Sequence, residues 1–179
     1  MKKYNNLNRS FARRVGKTMS DLKKNILKND LPKYLYTPEK NTENIYNKTF
    51  LEIGFGMGEH LANQAQLNPD NLYIGVEVYS NGVANFLKQA TSLKLNNFMV
   101  WPDDLDLILD KIPAKSLSGV YVLFPDPWPK RKQIKKRIFN IERFENFKNK
   151  LKKGGFIAFA SDIEDYFTSN GYKSFHHSV

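Results

Sequence analysis

The chain has 179 residues, 41% of them hydrophobic and 26% charged, which is enough for one domain with a sizeable core. It contains no cysteine, which excludes disulfides and thiolate zinc sites, and no apolar segment approaches the ~20 residues that a membrane-spanning helix needs. Its 28 Lys and Arg against 18 Asp and Glu leave a net charge of +10, which permits an anionic partner without proving one.

The charge is unevenly placed. Residues 1–40 carry 11 Lys or Arg against 3 acids, and residues 128–153 carry 11 against 2. The remainder holds 6 against 13, so two basic segments flank an acidic centre. An anionic polymer as partner explains that layout better than solvated faces alone. Residues 1–36 read as a basic arm with a helix over 19–27. Within it RSFARRVGK is Arg-rich and acid-free, a composition that a transit peptide also has. The polar segment 37–48 (TPEKNTENIYNK) reads as a linker. Arm and linker thus occupy residues 1–48, and a second unit occupies 49–179.

That unit opens on LEIGFGMG. The apolar run 50–53 predicts a buried strand carrying one acid, Glu52, and Gly54, Gly56 and Gly58 predict a tight loop. A helix over 59–67 follows, stopped before Pro69. Such a strand, loop and helix hold a nucleotide-like cofactor at the carboxyl edge of a sheet. A dinucleotide fingerprint spaces its glycines G-x-G-x-x-G. Here the third glycine comes one residue early, and Glu59 stands in the last position. Glu52 and Glu59 flank the loop with negative charge, which suits a cationic cofactor better than a pyrophosphate. S-adenosylmethionine, with its sulfonium and ammonium, is such a cation.

Residues 72–78 (LYIGVEV) predict a second strand, and Ser80 is a candidate cap for a helix with Val83, Phe86, Leu87, Ala90 and Leu93 on one face. Residues 98–101 predict a third strand, followed by a weaker helix around Leu105, Ile108, Leu109 and Ile112. Residues 119–124 predict a fourth, which runs into PDPWP, a loop stiffened by three prolines. A basic helical stretch is expected over 135–151, ending at Gly154 and Gly155, and residues 156–160 predict a fifth strand. The pattern is α/β: a mostly parallel sheet flanked by helices, with ligands outside the carboxyl ends of its strands. Those ends carry Glu52, Glu77, Asp103 or Asp104, Asp126 and Asp162. A carboxylate at Glu77 suits ribose hydroxyls, and Asp104 an adenine amino group, with Asp103 and Asp106 competing and a helix cap as the plainer role. Glu52 would face the cofactor's cationic end. Trp128 offers a face for a splayed-out base, with a place in the core as an equal alternative. Lys130, Arg131, Lys132, Lys135, Lys136 and Arg137 suit phosphates, with a solvated helix face as the plainer alternative.

FPDPWPKRKQIKKRI after the fourth strand, with LEIGFGMG, GVEV and RSFARRVGKTMS, resembles the bacterial tRNA (guanine-N(7)-)-methyltransferases. The resemblance implies a Rossmann-like class I methyltransferase fold, S-adenosyl-L-methionine as cofactor, and tRNA as partner, methylated on a guanosine of the variable loop. It implies cofactor contacts from Glu52, Gly54, Gly56, Glu77, Asp104 and Asp126, the catalytic role for Asp126, and substrate contacts from Lys130 and Asp162. Members of that family continue past the position of Asp162 through a helix and two more strands, with a threonine-x-phenylalanine-glutamate motif. FTSNGYKSFHHSV holds no such motif, so the last two strands are expected to be missing. The alternative expectation is a truncated relative that binds tRNA or cofactor without turnover. A nicotinamide-dependent oxidoreductase is disfavoured by the early third glycine and the lack of a substrate domain. A cytoplasmic protein without a metal or a membrane partner is expected, with a monomer favoured.

Overall fold

The apolar run that opens LEIGFGMG becomes the centre of a parallel sheet. The computed structural model describes residues 14, 16, 18–38, 45–128, 130–138 and 140–162. Among them lie strands β1 (Lys48–Ile53), β2 (Asn71–Val76), β3 (Phe98–Trp101), β4 (Leu117–Leu123) and β5 (Leu151–Ala160), in the order β3-β2-β1-β4-β5. All four pairings are parallel. The helices are α1 (Asp21–Asn29), α2 (Leu31–Tyr34), α3 (Glu59–Leu67), α4 (Ser80–Ser92) and α5 (Ile141–Lys150). This is the α/β architecture expected from the sequence, and among the described residues the sheet ends at β5.

Alternation along β1 sends its side chains to two cores. Leu51 and Ile53 face one, with Leu105, Ile108, Leu109, Ile112 and, from α5, Phe144 and Phe147. Phe50 faces the other, with Leu61, Ala62 and Ala65 of α3 and Val83, Phe86, Leu87 and Ala90 of α4. A side chain such as Phe147, with 0% exposure, contributes about 1.5–3 kcal/mol by leaving water. The chain adds β2 and β3 to one side of β1, then returns to add β4 and β5 to the other. The reversal lies between β1 and β4, where such sheets open a crevice at their carboxyl ends.

Residues 18–38 are folded onto this core. Ser20 accepts from the Lys23 amide and caps α1, and Tyr34 stacks on Phe98 with ring centroids 4.5 Å apart. The Tyr36 amide donates to Val100 at 2.9 Å, and Leu35 bridges Val100 in parallel, which shields the outer edge of β3.

Four expectations need correction. Residues 105–112 form two 3-10 turns, Leu105–Leu107 and Leu109–Lys111, although their apolar positions are buried as foreseen. Ser80 is the first residue of α4, and Tyr79 holds the cap position without a side-chain bond. The basic stretch is not one helix: a 3-10 turn, Arg131–Lys136, is followed by a break, and α5 then begins at the Asn140 cap, whose side chain accepts from the Arg143 amide at 3.0 Å. Finally, Gly154 and Gly155 lie inside β5. Gly154 has φ +79°, and the pairing shifts between Leu117 and Gly119, so the glycine serves a bulge where the sequence suggested a helix end.

Candidate active site

The glycine loop leaves β1 in left-handed backbone. Gly58 has φ +87° and caps α3, and a Cβ there would sit 2.6 Å from the ring of Phe86 on α4. Only glycine meets both demands. Gly82, in the first turn of α4, packs against the carbonyl of Gly56, with no room for a Cβ. The loop is therefore clamped between α3 and α4.

Glu77 closes the clamp. It follows β2 directly, is 8% exposed, and accepts from the Gly56 amide through Oε2 and from the Tyr79 amide through Oε1, both at 2.8 Å. Burial pushes its carboxyl above the usual range, opposed by the backbone N–H groups, and the charge of Asp126 acts in the same direction as burial. The charge of Asp126 is thus felt at Glu77, although 49 residues separate them in the chain. The acceptor set suits a ligand that carries hydroxyls and positive charge: the Glu77 carboxylate keeps lone-pair capacity beyond its bonds to the backbone.

Asp104 is 2% exposed. Its side chain accepts from the Asp106 amide at 3.3 Å, so it caps the first 3-10 turn, and Arg14 lies 3.9 Å from its Oδ2. The competing acids are ion-paired more tightly: Asp103 with the same Arg14 at 2.6 Å and Asp106 with Arg143 at 2.8 Å. Glu52 is 4% exposed, on the α3 side of the sheet, and its Oε2 lies 2.7 Å from Nδ1 of His60. His60 meets the ring of Tyr121 edge-on at 4.9 Å.

The other end of the site lies past β4 and β5. The Phe124 amide donates to the Ala160 carbonyl at 2.8 Å, so the chain leaves both strands side by side. Asp126, Lys130, Lys132 and Asp162 are exposed there. Arg137 is 2% exposed, which corrects its assignment to phosphates. Lys136 instead places its ammonium 4.6 Å from the centre of the Trp128 ring. The side chains of Arg131 and Lys135 lie outside the described ones.

Two residues escaped the sequence reading. His60 had its signal in the helix start, in the first turn after the glycine loop and beside Glu52. Arg14 was counted with the basic arm, yet it is anchored to the core: its carbonyl accepts from the Ser80 amide at 2.9 Å, and the Thr18 carbonyl accepts from Asn81 at 3.3 Å. Arm residues therefore lie over the β3 end of the acidic rim.

The His60 pair makes stability depend on pH. The hydrogen bond to Glu52 raises the His60 pKa above its ordinary value of about 6.5, against the effect of burial. A raised folded-state pKa gives stability that is full below the unfolded value and is lost as pH rises through the folded one. Urea midpoints should therefore fall as pH rises from 6 towards 9. His60→Gln should cost about 1–3 kcal/mol at pH 6 and much less at pH 9. A pH-independent difference between the two proteins would remove the charged pair from the account.

No helix among the described residues is long and apolar enough to cross a membrane, and no group of three or more His, Asp or Glu among them is placed to hold a metal ion. The family described as "Putative methyltransferase" matches residues 46–176. A bifunctional methyltransferase of Rickettsia conorii is 60% identical over 162 residues, which are 90% of this chain and 31% of that protein. The chain thus spans about a third of the length of these bifunctional relatives. The tRNA (guanine-N(7)-)-methyltransferase of Neorickettsia sennetsu is 39% identical over 88% of this chain and 70% of its own length. That of Hyphomonas neptunium is 35% identical over 88% and 75%. Among solved structures, the aminoglycoside resistance methyltransferase NpmB1 superposes with a TM-score of 0.53 at 15% identity, over 80% of this chain and 73% of that one, a likeness of fold alone. On this evidence the chain has the class I methyltransferase fold and belongs to the tRNA (guanine-N(7)-)-methyltransferase family.

Proposed function

We propose that residues 49–179 form an S-adenosylmethionine-binding domain that methylates a guanosine in the variable loop of tRNA, and that residues 1–48 assist tRNA docking. The observation that carries this reading is the Glu77 carboxylate, held by the Gly56 and Tyr79 amides and within reach of the charge on Asp126. The relatives named for tRNA methylation support the choice of substrate.

In this reading Gly54 and Gly56 would hold the cofactor at the glycine loop. Glu77 would accept from its ribose and Asp104 from its adenine, and Glu52 and Asp126 would counter its positive charge. When bound, S-adenosylmethionine supplies a methyl group activated by the sulfonium. N7 of guanine already has a free lone pair, so Asp126 is not required as a strong base. Asp126 instead holds the guanine edge and favours the positive charge that arrives on the purine. Lys130 contacts the RNA backbone and Asp162 the substrate on the far side of the loop.

The test is methyl transfer by the purified chain from labelled S-adenosylmethionine to unmodified tRNA, with nucleosides analysed after digestion. 7-Methylguanosine in the variable loop is expected. Cofactor binding without transfer would refute the enzymatic reading. Affinity for tRNA should also fall steeply with salt, with a log–log slope of roughly −0.7 to −0.9 per phosphate contact. A flat response would refute docking through the basic segments.

A further inference from the structure

The loop after β4 carries two aromatic residues, and they are treated differently. Trp128 is half-buried, with the Lys136 ammonium over its ring at 4.6 Å. Phe124 is 69% exposed, two residues before Asp126. Its backbone is left-handed, with φ +48°, a conformation that L-residues with a Cβ adopt at a cost. The bond from its amide to the Ala160 carbonyl fixes that conformation to the end of β5.

The fold thus bears two penalties at one residue: backbone strain, and a large apolar ring left in water. Strain of this kind gathers where a ligand is handled. A flat aromatic surface beside a carboxylate, with Lys130 and Lys132 exposed just beyond, has the chemistry of a nucleotide site: a ring for the base and cations for the phosphates.

We propose that Phe124 is the platform on which the target purine stacks when it is presented to Asp126, and that Trp128 braces the basic turn through Lys136. The proposal rests on the RNA-methyltransferase reading above and assigns the base-stacking role to a different residue from the one the sequence suggested.

The test compares wild type, Phe124→Leu and Phe124→Tyr. Each is assayed in single-turnover methyl transfer to unmodified tRNA over a range of tRNA concentrations, with cofactor affinity by calorimetry and thermal melting alongside. Phe124→Leu should lower kcat/KM for tRNA by about 10- to 100-fold. Cofactor affinity and melting temperature should not change, because the ring is exposed and outside the glycine loop. Phe124→Tyr, which keeps the ring, should retain most of the activity. Leu equal to wild type, or Tyr as impaired as Leu, would overturn the platform while leaving the enzymatic reading intact. A wild-type chain that forms no 7-methylguanosine would overturn both.

Discussion

Asp126→Asn should lower single-turnover methyl transfer to tRNA by about 100- to 1000-fold while leaving S-adenosylmethionine affinity within a few-fold of wild type. The size follows from the loss of one preorganised charge at a reacting centre. The separation follows from the geometry. In the proposed reading most of the cofactor's contacts come from the glycine loop and Glu77, whose bonds to Gly56 and Tyr79 do not involve Asp126, and Glu52 still counters its charge in the variant. The substitution also withdraws a negative charge that pushes the Glu77 carboxyl upward, so Glu77 should ionise at slightly lower pH in the variant. Calorimetry beside a rapid-quench assay decides the matter. Unchanged transfer would remove Asp126 from the mechanism, and a parallel collapse of cofactor binding would make it a binding residue only.

Gly58→Ala should destabilise the fold by about 2–5 kcal/mol, combining left-handed strain with overpacking against Phe86. For a chain of this size that corresponds to a fall in melting temperature of about 5–15 °C. Gly54→Ala is the control. Its φ of +69° imposes the same kind of strain, but an added Cβ would meet nothing within 4 Å among the described residues. It should cost only about 1–2 kcal/mol. Equal losses in thermal melts would show that the contact between the loop and α4 does not determine stability here.

Local pattern made much of this legible. An apolar run ending in alternating glycines admits few conformations, so β1, its loop and α3 fall where the residues suggest. β3 likewise matches, bounded by Pro102. What sequence could not show is which partner each acid takes. Asp103, Asp104 and Asp106 are equivalent by composition. Arg14 and Arg143, from distant parts of the chain, engage the first and third. The carboxylate of Glu52 was visible, but its bond to His60 depends on how α3 lies across the sheet. The basic run 128–153 misled because charge patterning carries no information on the cap at Asn140, and because LKKGG looks like a helix end although it lies in β5, joined to β4 at Leu151 and then bulged. Positive backbone angles at Phe124 and Trp128 are equally invisible in residue types that seldom adopt them.

The anchoring of Arg14 also bears on biosynthesis. Its partner Asp103 lies 89 residues downstream, and the Thr18 carbonyl waits 63 residues for Asn81. At roughly 5–20 residues per second, a ribosome takes about 4–18 s to cover the longer interval. That segment cannot complete its docking until residue 103 has emerged, and nascent chains arrested before it should expose the segment to protease.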